Sequence, residues 1–367
     1  MASRTTFLAL ALIISGSVIT TAADSIKFTG AASCASSGCH GGGEGKNQML
    51  TWMRKDFHSR AHAILGTARS TRIAETLAIQ DAAKSARCTV CHSPMEAVPP
   101  ERLLVKKPDQ GVSCETCHGP AEEWLRFHTR PDLTHEQRVA GGLRELTRPD
   151  ARANACSACH LNIDPELVRA GHPEMFFELD GQVLAQPPHW VDEGTWLGPR
   201  AWLVGQAVSL REMSWRLAAK KDPSLLPRWK ALGWLLRRTG ASLPEGADFF
   251  ATQSAADRLS KSSAKETWSR DKTLKLLRTY AELGNEFRDV DLDPLEIRRR
   301  AEVLVLAVDR LWVALKTNSG ATSAALDMAL PVLGDISRKQ AAFDRIQFAA
   351  ALQQVEVALE LGIGGPT

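Results

Sequence analysis

Cysteine and histidine occur together at four places within the first 160 residues of the chain. Three of these places read Cys-x-x-Cys-His, and the first has four residues between its cysteines. Two thiols followed directly by a histidine are typical of covalent c-type haem attachment, in which the thiols add to the porphyrin vinyl groups and the histidine binds iron. The sequence therefore predicts four haem c groups. Motif by motif, the residues are Cys34, Cys39 and His40; Cys88, Cys91 and His92; Cys114, Cys117 and His118; and Cys156, Cys159 and His160.

Zinc and disulfide bonds are the alternatives for the same cysteines. Zinc ribbons also use Cys-x-x-Cys pairs, but they need no histidine directly after each second cysteine. A disulfide framework would not repeat the Cys-His dipeptide in this way either. All eight cysteines of the chain belong to the four motifs, which favours haem over both alternatives.

The first 23 residues have the features of a signal peptide. Arg4 gives a short basic start, residues 7–18 are apolar, and Thr21-Ala22-Ala23 has the small residues of a cleavage site. The apolar run is short for a bilayer span, which counts against the alternative of an uncleaved anchor. We expect export to the periplasm, where bacterial haem c is attached, without stable insertion in the membrane.

Charge limits the classes of partner. The formal net charge is +3, and four haems would add about eight propionate carboxylates, so the loaded protein is expected to be acidic. The sequence has no basic stripe with interleaved aromatic residues, which argues against nucleic-acid binding.

The chain divides by composition near residue 195. Residues 24–195 hold all cysteines and all ten histidines, and we expect a loop-rich tetrahaem domain whose core is largely porphyrin. Residues 196–367 contain neither type and are predicted to form a helical bundle, with Gly320 and Gly334 as helix stops. The predicted fold class is therefore mainly α. The expected helices of the bundle are Arg200–Lys220, Leu226–Arg238, Thr267–Phe287, Asp293–Lys316 and Ile336–Leu361.

Six histidines lie outside the motifs and are candidates for the second axial position of an iron. His58 and His62 would share one face of a helix, and one iron can take only one of them. His135 follows Thr134 in a pattern typical of a helix start, and we expect it to be exposed. His189 lies in a stiff turn, where it either binds iron or stacks on Trp190.

His128 and His172 complete the set of candidates. Pro120 can start a helix that carries His128 at its far end, and the alternative is a surface histidine at a helix C-terminus. His172 lies between a glycine and a proline, an irregular backbone that suits either a presented ligand or a helix cap. We expect His128 to reach the fourth haem and His58 the third, which leaves His172 and His189 for the first two.

Longer stretches carry a family resemblance. They are Cys34–Gly41, Trp52 with Asp56–Ala61, Gly111–Pro120, Trp124 with His128, Ala170–Pro173, Pro188–Trp190 and Arg200–Gln206. On these stretches the chain resembles the multihaem c-type cytochromes of the cytochrome c-554-like family, in a tetrahaem form. The resemblance implies electron transfer between periplasmic partners through mostly bis-histidine haems, and it favours His58 over His62. Near Leu226–Arg238, where similar chains carry a further haem motif, this sequence has no cysteine.

Two functions are compatible with these residues. The first is electron transfer with other redox proteins, such as periplasmic cytochromes or quinol-linked complexes. The second is a redox enzyme that acts on a small nitrogen or sulfur compound at one five-coordinate haem. Such an enzyme needs acid–base groups or a tyrosine near the iron, but the single tyrosine, Tyr280, is far from the motifs in sequence. We therefore expect an electron carrier without catalytic residues.

Overall fold

The computed structural model describes residues 26–105, 111–161, 163–220, 222–288, 291–339 and 342–364. The predicted signal peptide, residues 1–23, lies outside the described residues. The structure is 65% helical with 1% strand, and the described residues form no sheet, which confirms the prediction of a mainly α fold. In the described ranges, β-type pairing is limited to isolated bridges that join Phe28 to Leu103 and Thr322 to Gly364.

The cysteine-containing half has short α-helices separated by turns and 3-10 segments. In its described ranges no helix is longer than the 12 residues of α7. The bounds are α1 Gln48–Lys55, α2 Ala68–Thr76, α3 Ala86–His92, α4 Cys114–His118, α5 Trp124–Phe127, α6 His135–Ala140, α7 Pro149–His160, α8 Pro165–Arg169 and α9 Leu179–Ala185. Such short helices cannot bury much surface against one another, so the segments between them decide how this half is held together.

The second half is built from longer helices. Their bounds are α10 Leu197–Trp215, continued by a π-helical turn Arg216–Lys220, then α11 Leu226–Arg237, α12 Phe249–Ser263, α13 Arg270–Ala281, α14 Asn285–Arg288, α15 Pro294–Ser319, α16 Ala324–Arg338 and α17 Arg345–Glu360. The expected helices overlap α10, α11, α13, α15 and α17, whereas α12 and most of α16 were not predicted.

The two predicted helix stops differ in outcome. Gly320 ends α15 in the left-handed conformation, with φ +61°, as predicted. Gly334 lies inside α16, so its prediction as a stop is wrong. The single helix expected over Ile336–Leu361 is also wrong, because α16 continues to Arg338 and Asp344 starts α17 by accepting the backbone N–H groups of Ile346 and Gln347.

One apolar cluster forms the core of the bundle. Trp312 and Leu304 of α15 are fully buried, together with Phe348 of α17 and Tyr280 of α13. Helix α15 packs against α11, α13 and α16, and α12 packs along α10. Each of these helices buries one side, as expected for amphipathic helices around a shared core. Across the described ranges, no helix has the length and apolar character needed to cross a bilayer.

Helix α10 joins the two halves. It packs on α7 and α9 of the cysteine-containing half as well as on α11, α12 and α15. Gly205 permits the contact with α9, because a Cβ atom there would lie 2.7 Å from the Cβ of Leu179. A second apolar cluster, which includes Phe177, Val204 and Val208, fills this junction. The domain boundary near residue 195 stays a prediction, since α10 contributes to both sides of it.

Candidate haem sites

Three of the four motif histidines are the last residues of short helices. His92, His118 and His160 end α3, α4 and α7. In these helices the two cysteines are three positions apart and the histidine follows, so the three side chains share one face. Gly119, with φ +86°, directs the chain away immediately after α4. The helix ends therefore present two thiols and an imidazole to the same space.

The first motif forms a closed loop instead of a helix. His40 N–H donates to the carbonyl of Cys34, and Gly41 N–H donates to the carbonyl of Ser36. A side chain at position 41 would collide with the backbone, because a Cβ would lie 2.0 Å from the carbonyl oxygen of Ala35. The two additional residues are thus taken up by a tight turn that keeps Cys34 near Cys39 and His40.

Each motif histidine faces one histidine from outside the motifs. The ring centroids are separated by 6.2 Å for His40 and His128, 6.3 Å for His92 and His172, 6.4 Å for His118 and His189, and 5.9 Å for His160 and His58. A first-row metal ion lies about 2 Å from each imidazole nitrogen that binds it, so two axial imidazoles place their ring centroids about 6 Å apart. The four separations fit an iron between the rings of each pair.

Hydrogen bonds fix the ring orientation of five of these histidines through Nδ1. The five bonds are His40 to Gln48 Oε1 (3.0 Å), His92 to the Ala61 carbonyl (3.0 Å), His128 to the Trp124 carbonyl (3.2 Å), His172 to the Pro173 carbonyl (2.9 Å) and His58 to Asp56 Oδ1 (2.9 Å). An oxygen acceptor keeps the proton on Nδ1, which leaves the Nε2 lone pair free for a metal.

His160 also has an oxygen acceptor for its Nδ1 proton once the oxygen and nitrogen of the Gln182 side-chain amide are exchanged. Its Nδ1 lies 3.4 Å from Nε2 of Gln182, while Oε1 of Gln182 is buried without a partner. The two ends of an amide are assigned from the hydrogen-bond network, and a flipped Gln182 would satisfy both atoms by accepting the Nδ1 proton. Gln182 of α9 is therefore the orienting residue of His160.

Burial favours the neutral form of four of the paired imidazoles. It lowers the pKa of His118 and His160 to about 4 in each case, and it lowers the pKa of His92 and His189 as well. Only a neutral imidazole can bind a metal ion. Burial alone would raise the pKa of Asp56. Hydrogen bonds from His58 outweigh this effect and lower the pKa to about 2.

The expected partner of His128 is wrong. His128 faces His40 of the first motif, not the fourth motif. The reason is that α5 is only one turn long and that the chain before the first motif is tied to this region: Lys27 N–H donates to Glu122 Oε2 at 2.8 Å, and Glu122 N–H donates to the Lys27 carbonyl. This pairing holds the first motif beside His128.

The expected partner of His58 is also wrong, since His58 faces the fourth motif rather than the third. The reason is a contact made by Gln186, one residue after α9, which donates to Asp56 Oδ2 at 2.9 Å. This bond holds the 3-10 segment Phe57–Arg60, which carries His58, beside α9 and α7. His172 faces His92 of the second motif, within the expected set, whereas His189 faces the third motif instead of the first or second.

The remaining histidines have other surroundings. His62 has no facing histidine in the described part of the chain. His135 is at the predicted helix start, where Thr134 and Gln137 form a capping box. It is half-buried rather than exposed, because its Nε2 lies 3.0 Å from Glu145 Oε2. Trp190 contacts the ring of His189 edge-on, with centroids 5.0 Å apart, so stacking and a facing motif histidine occur together.

Cysteines from different motifs meet. The thiols of Cys34 and Cys114 lie close enough for Cys114 to lower the pKa of Cys34 to about 7, and Cys159 lowers the pKa of Cys91 in the same way. Cys117 is also close enough to Cys156 for its charge to contribute to a raised pKa, although burial is the larger cause of the shift to about 11. The first motif thus adjoins the third, the third adjoins the fourth, and the fourth adjoins the second.

A buried carboxylate connects the first and third motifs. Glu115, between the two cysteines of the third motif, is 1% exposed. Its oxygens accept the backbone N–H groups of Thr29, Gly30 and Ala121 at 2.6–2.9 Å. Thr29 and Gly30 lie five and four residues before Cys34, so Glu115 fixes the start of the first motif against the third.

Two of the four histidines that face a motif histidine, His172 and His189, lie on residues 172–196, which we call the distal strap. The bundle holds this strap at four points. The contacts are Arg299 to Glu174 (2.7 Å), Arg228 to the Met175 carbonyl (3.0 Å), Arg310 to Asp180 (3.9 Å) and Asn318 Oδ1 to the Trp196 N–H (2.8 Å). On its other side, Arg152 of α7 binds Asp192 at 2.7 Å. The helical bundle therefore positions side chains that face the second and third motifs.

Sequence reasoning missed the residues that orient the histidines. Asp56, Gln48, Gln182 and Glu115 were not among the candidates. The role of Asp56 could have been predicted from the sequence. An aspartate two residues before a candidate ligand can cap the helical turn on which that ligand lies. The two glutamines had no such signal, since their partners are set by packing.

Residues 33–119 match a family model described as cytochrome c554 and c-prime. The match includes the first three motifs and supports a relationship with a cytochrome c-like family, with covalently bound haem c and haem-based electron transfer. No curated protein and no solved structure matches the chain.

Proposed function

We propose that this protein is an exported electron carrier with four covalent haem c groups, each held by two axial histidines. The observation that carries the proposal is the set of four facing histidine pairs, whose centroids are 5.9–6.4 Å apart. Each pair combines the histidine of a thiol motif with one from elsewhere in the chain. The four proximal ligands are His40, His92, His118 and His160, and the distal ligands are His128, His172, His189 and His58 respectively.

The chain's contribution to electron transfer is to hold ligands still. When bound, haem supplies one-electron exchange between ferric and ferrous iron. Backbone carbonyls and buried side chains orient the imidazoles on both sides, so little has to move when charge changes. If the facing histidines held each iron from both sides, no iron position would be left for a substrate, which favours an electron carrier over the alternative of a redox enzyme. Tyr280, the single tyrosine, is fully buried in the bundle core.

The contacts between motifs support an order of electron flow. Since the thiols bind the porphyrin edge, touching thiols would bring two porphyrins into contact. Cys34 with Cys114, Cys117 near Cys156, and Cys91 with Cys159 would arrange the haems as first, third, fourth and second. The first and second haems would then be the ends of the chain, where redox partners such as periplasmic cytochromes or quinol-linked complexes exchange electrons.

Haem number and compartment are tested on the purified protein. A pyridine haemochrome assay together with intact mass should give four haems on a chain that begins after Ala23. A mass equal to the apoprotein plus zinc would contradict the haem proposal. N-terminal sequencing that starts at Met1, with the protein in the membrane pellet, would contradict export.

The ring planes allow a sharper test of ligation. The planes of His40 and His128 are within 16° of parallel, whereas the other three pairs cross at 69–74°. Axial ligand orientation determines the anisotropy of a low-spin ferric signal. Electron paramagnetic resonance of the oxidised protein should therefore show one rhombic low-spin signal and three more anisotropic ones. A high-spin haem in the untreated protein would instead favour the enzyme alternative.

Single substitutions connect each signal with a pair. His128→Met should remove the rhombic signal, and His172→Met should remove one of the anisotropic signals. His62→Met is the matched control, because His62 faces no motif histidine in the described ranges, and it should leave all four signals unchanged. Unaltered signals in the first two variants would contradict the pairing.

A further inference from the structure

One of the four histidine pairs differs from the others in the group that accepts the Nδ1 proton. His58 donates its Nδ1 proton to a carboxylate, that of Asp56, at 2.9 Å. Five other paired histidines have neutral Nδ1 acceptors: three backbone carbonyls and the side-chain amides of Gln48 and Gln182. In the described ranges, Asp56 is the only anionic acceptor on a paired histidine.

Asp56 is placed where its charge is poorly screened. Its side chain is 4% exposed. It accepts the backbone N–H of His58 at 3.0 Å, Nδ1–H of His58, and Nε2–H of Gln186 at 2.9 Å. No lysine or arginine forms an ion pair with it in the residues that the structure describes. Three donors therefore satisfy the carboxylate without cancelling its charge, and the low local polarisability lets that charge act on its neighbours.

The backbone around His58 is also held by contacts that do not involve the carboxylate of Asp56. The N–H of Val112 donates to the His58 carbonyl at 2.9 Å, and Trp52 Nε1 donates to the Val112 carbonyl at 3.0 Å. Gly111, with φ +67°, permits this approach, because a Cβ would lie 2.4 Å from the His58 carbonyl oxygen. Changing the charge at position 56 should therefore leave the position of His58 largely intact.

We propose that Asp56 is a positioning residue that gives the haem between His58 and His160 the lowest reduction potential of the four. The inference rests on the proposed function, since it requires an iron between these two histidines. A carboxylate behind Nδ1 increases electron donation from the imidazole and so stabilises ferric iron. Reduction adds one electron and no proton: Nδ1 keeps its hydrogen and Asp56 keeps its charge.

The test is a spectroelectrochemical titration of the full-length, haem-loaded protein. Asp56→Asn preserves size and, through Oδ1, the acceptor for both His58 donors. It removes the charge and places an NH2 group opposite Gln186, whose side-chain amide can turn to accept from it. The substitution should favour reduction of this haem by about tenfold, which raises the lowest of the four midpoint potentials by about 59 mV for a one-electron couple.

The charge of Asp56 also reaches His189 and Cys117, so the midpoint of the haem between His118 and His189 should rise by a smaller amount. The other two midpoints and the low-spin spectrum should stay as they are, and Asp56→Glu should restore the low value.

A reciprocal variant creates the same arrangement elsewhere. Gln48→Glu would place a carboxylate behind Nδ1 of His40, where the structure has an amide oxygen at 3.0 Å. It should lower a midpoint other than the two that Asp56→Asn raises. Asp150→Asn is the matched control: Asp150 is also buried and lies on α7 with His160, but it binds Arg148 rather than a histidine, so all four midpoints should be unchanged.

The outcomes separate the two proposals. Fewer than four low-spin haems in the unaltered protein would count against the proposed function itself. Four low-spin haems with midpoints that do not respond to Asp56→Asn, or that all shift equally, would overturn the role of Asp56 alone. If Asp56→Asn converted a haem to high spin, the Gln48→Glu variant would decide, and an unchanged set of midpoints there would overturn the inference.

Discussion

The two halves of this chain obtain their cores from different sources. In the bundle, helices of up to 26 residues enclose one large cluster of leucine, tryptophan and phenylalanine side chains. In the cysteine-containing half, the described buried apolar residues away from α10 form only a small cluster around Leu65, Ala74 and Ala82. The bundle can therefore be understood as an ordinary protein core, whereas the other half has few buried apolar side chains of its own, and under the proposed function the haems would supply the missing core.

Removal of all eight thiols is the strongest way to test this contrast. A full-length variant with every cysteine changed to alanine cannot retain covalent haem, so we expect residues 26–161 to lose stable structure while the bundle stays folded. Hydrogen exchange read by mass spectrometry would show fast exchange in the first half and protection in α15. Equal protection in both halves would mean that the first half has a sufficient core of its own.

A large-to-small substitution in the bundle should produce the next largest effect. Leu304 is fully buried in α15, and Leu304→Ala should lower the free energy of unfolding of the bundle by about 2–5 kcal/mol. Denaturant unfolding followed by far-UV circular dichroism measures this change. Met328→Ala, at a position that is 70% exposed, is the control and should change the free energy by less than about 0.5 kcal/mol.

The junction between the halves should respond to pH. Burial raises the pKa of Asp180 to about 6, although Arg310 opposes the shift. A carboxyl whose pKa is raised in the folded state stabilises that state below its unfolded pKa, and this contribution is lost as pH rises through about 6. Asp180→Asn should therefore increase stability at pH 7 by about 1 kcal/mol and change little at pH 4. The exposed Asp335→Asn variant should show no such difference between the two pH values.

The smallest expected effect concerns the contact between bundle and strap. Arg299→Ala removes both bonds to Glu174, a partner that is 40% exposed, and should weaken docking of the strap by about 1 kcal/mol or less. The readout is a high-spin fraction that appears at lower temperature than in the unaltered protein, because His172 is released more easily. Arg338→Ala, which breaks an exposed pair on α16, should have no such effect.

The elements that the sequence predicts well are those decided locally. Helix α15 shows apolar residues at helical spacing, and its C-terminal glycine adopts the expected conformation. Helix α12 was missed because its buried positions, such as Thr252, Ala255 and Ser260, are small or polar. They allow a close approach to α10 but give no hydrophobic pattern. Its existence depends on a partner that the local sequence does not show.

The same distinction applies to the candidate site. The thiols and proximal histidines are defined by spacing within five or seven residues, so local sequence suffices to propose them. The facing of His128 and His40 depends on long-range bonds made by Glu115 and Glu122, whose acceptor or donor partners lie up to 95 positions away. No pattern in either segment predicts such a pairing, because it results from how the loops pack.

The position of the distal strap in the chain determines when its two histidines can reach their final places after synthesis. A chain that crosses a membrane from its N-terminus delivers its thiol motifs first. Glu174 and Trp196, however, find their partners 125 and 122 positions later, on α15. The second and third haems would thus be attached long before their distal histidines are held in place. We expect a newly exported molecule to pass through a high-spin stage that ends only when the last third of the chain has arrived and folded.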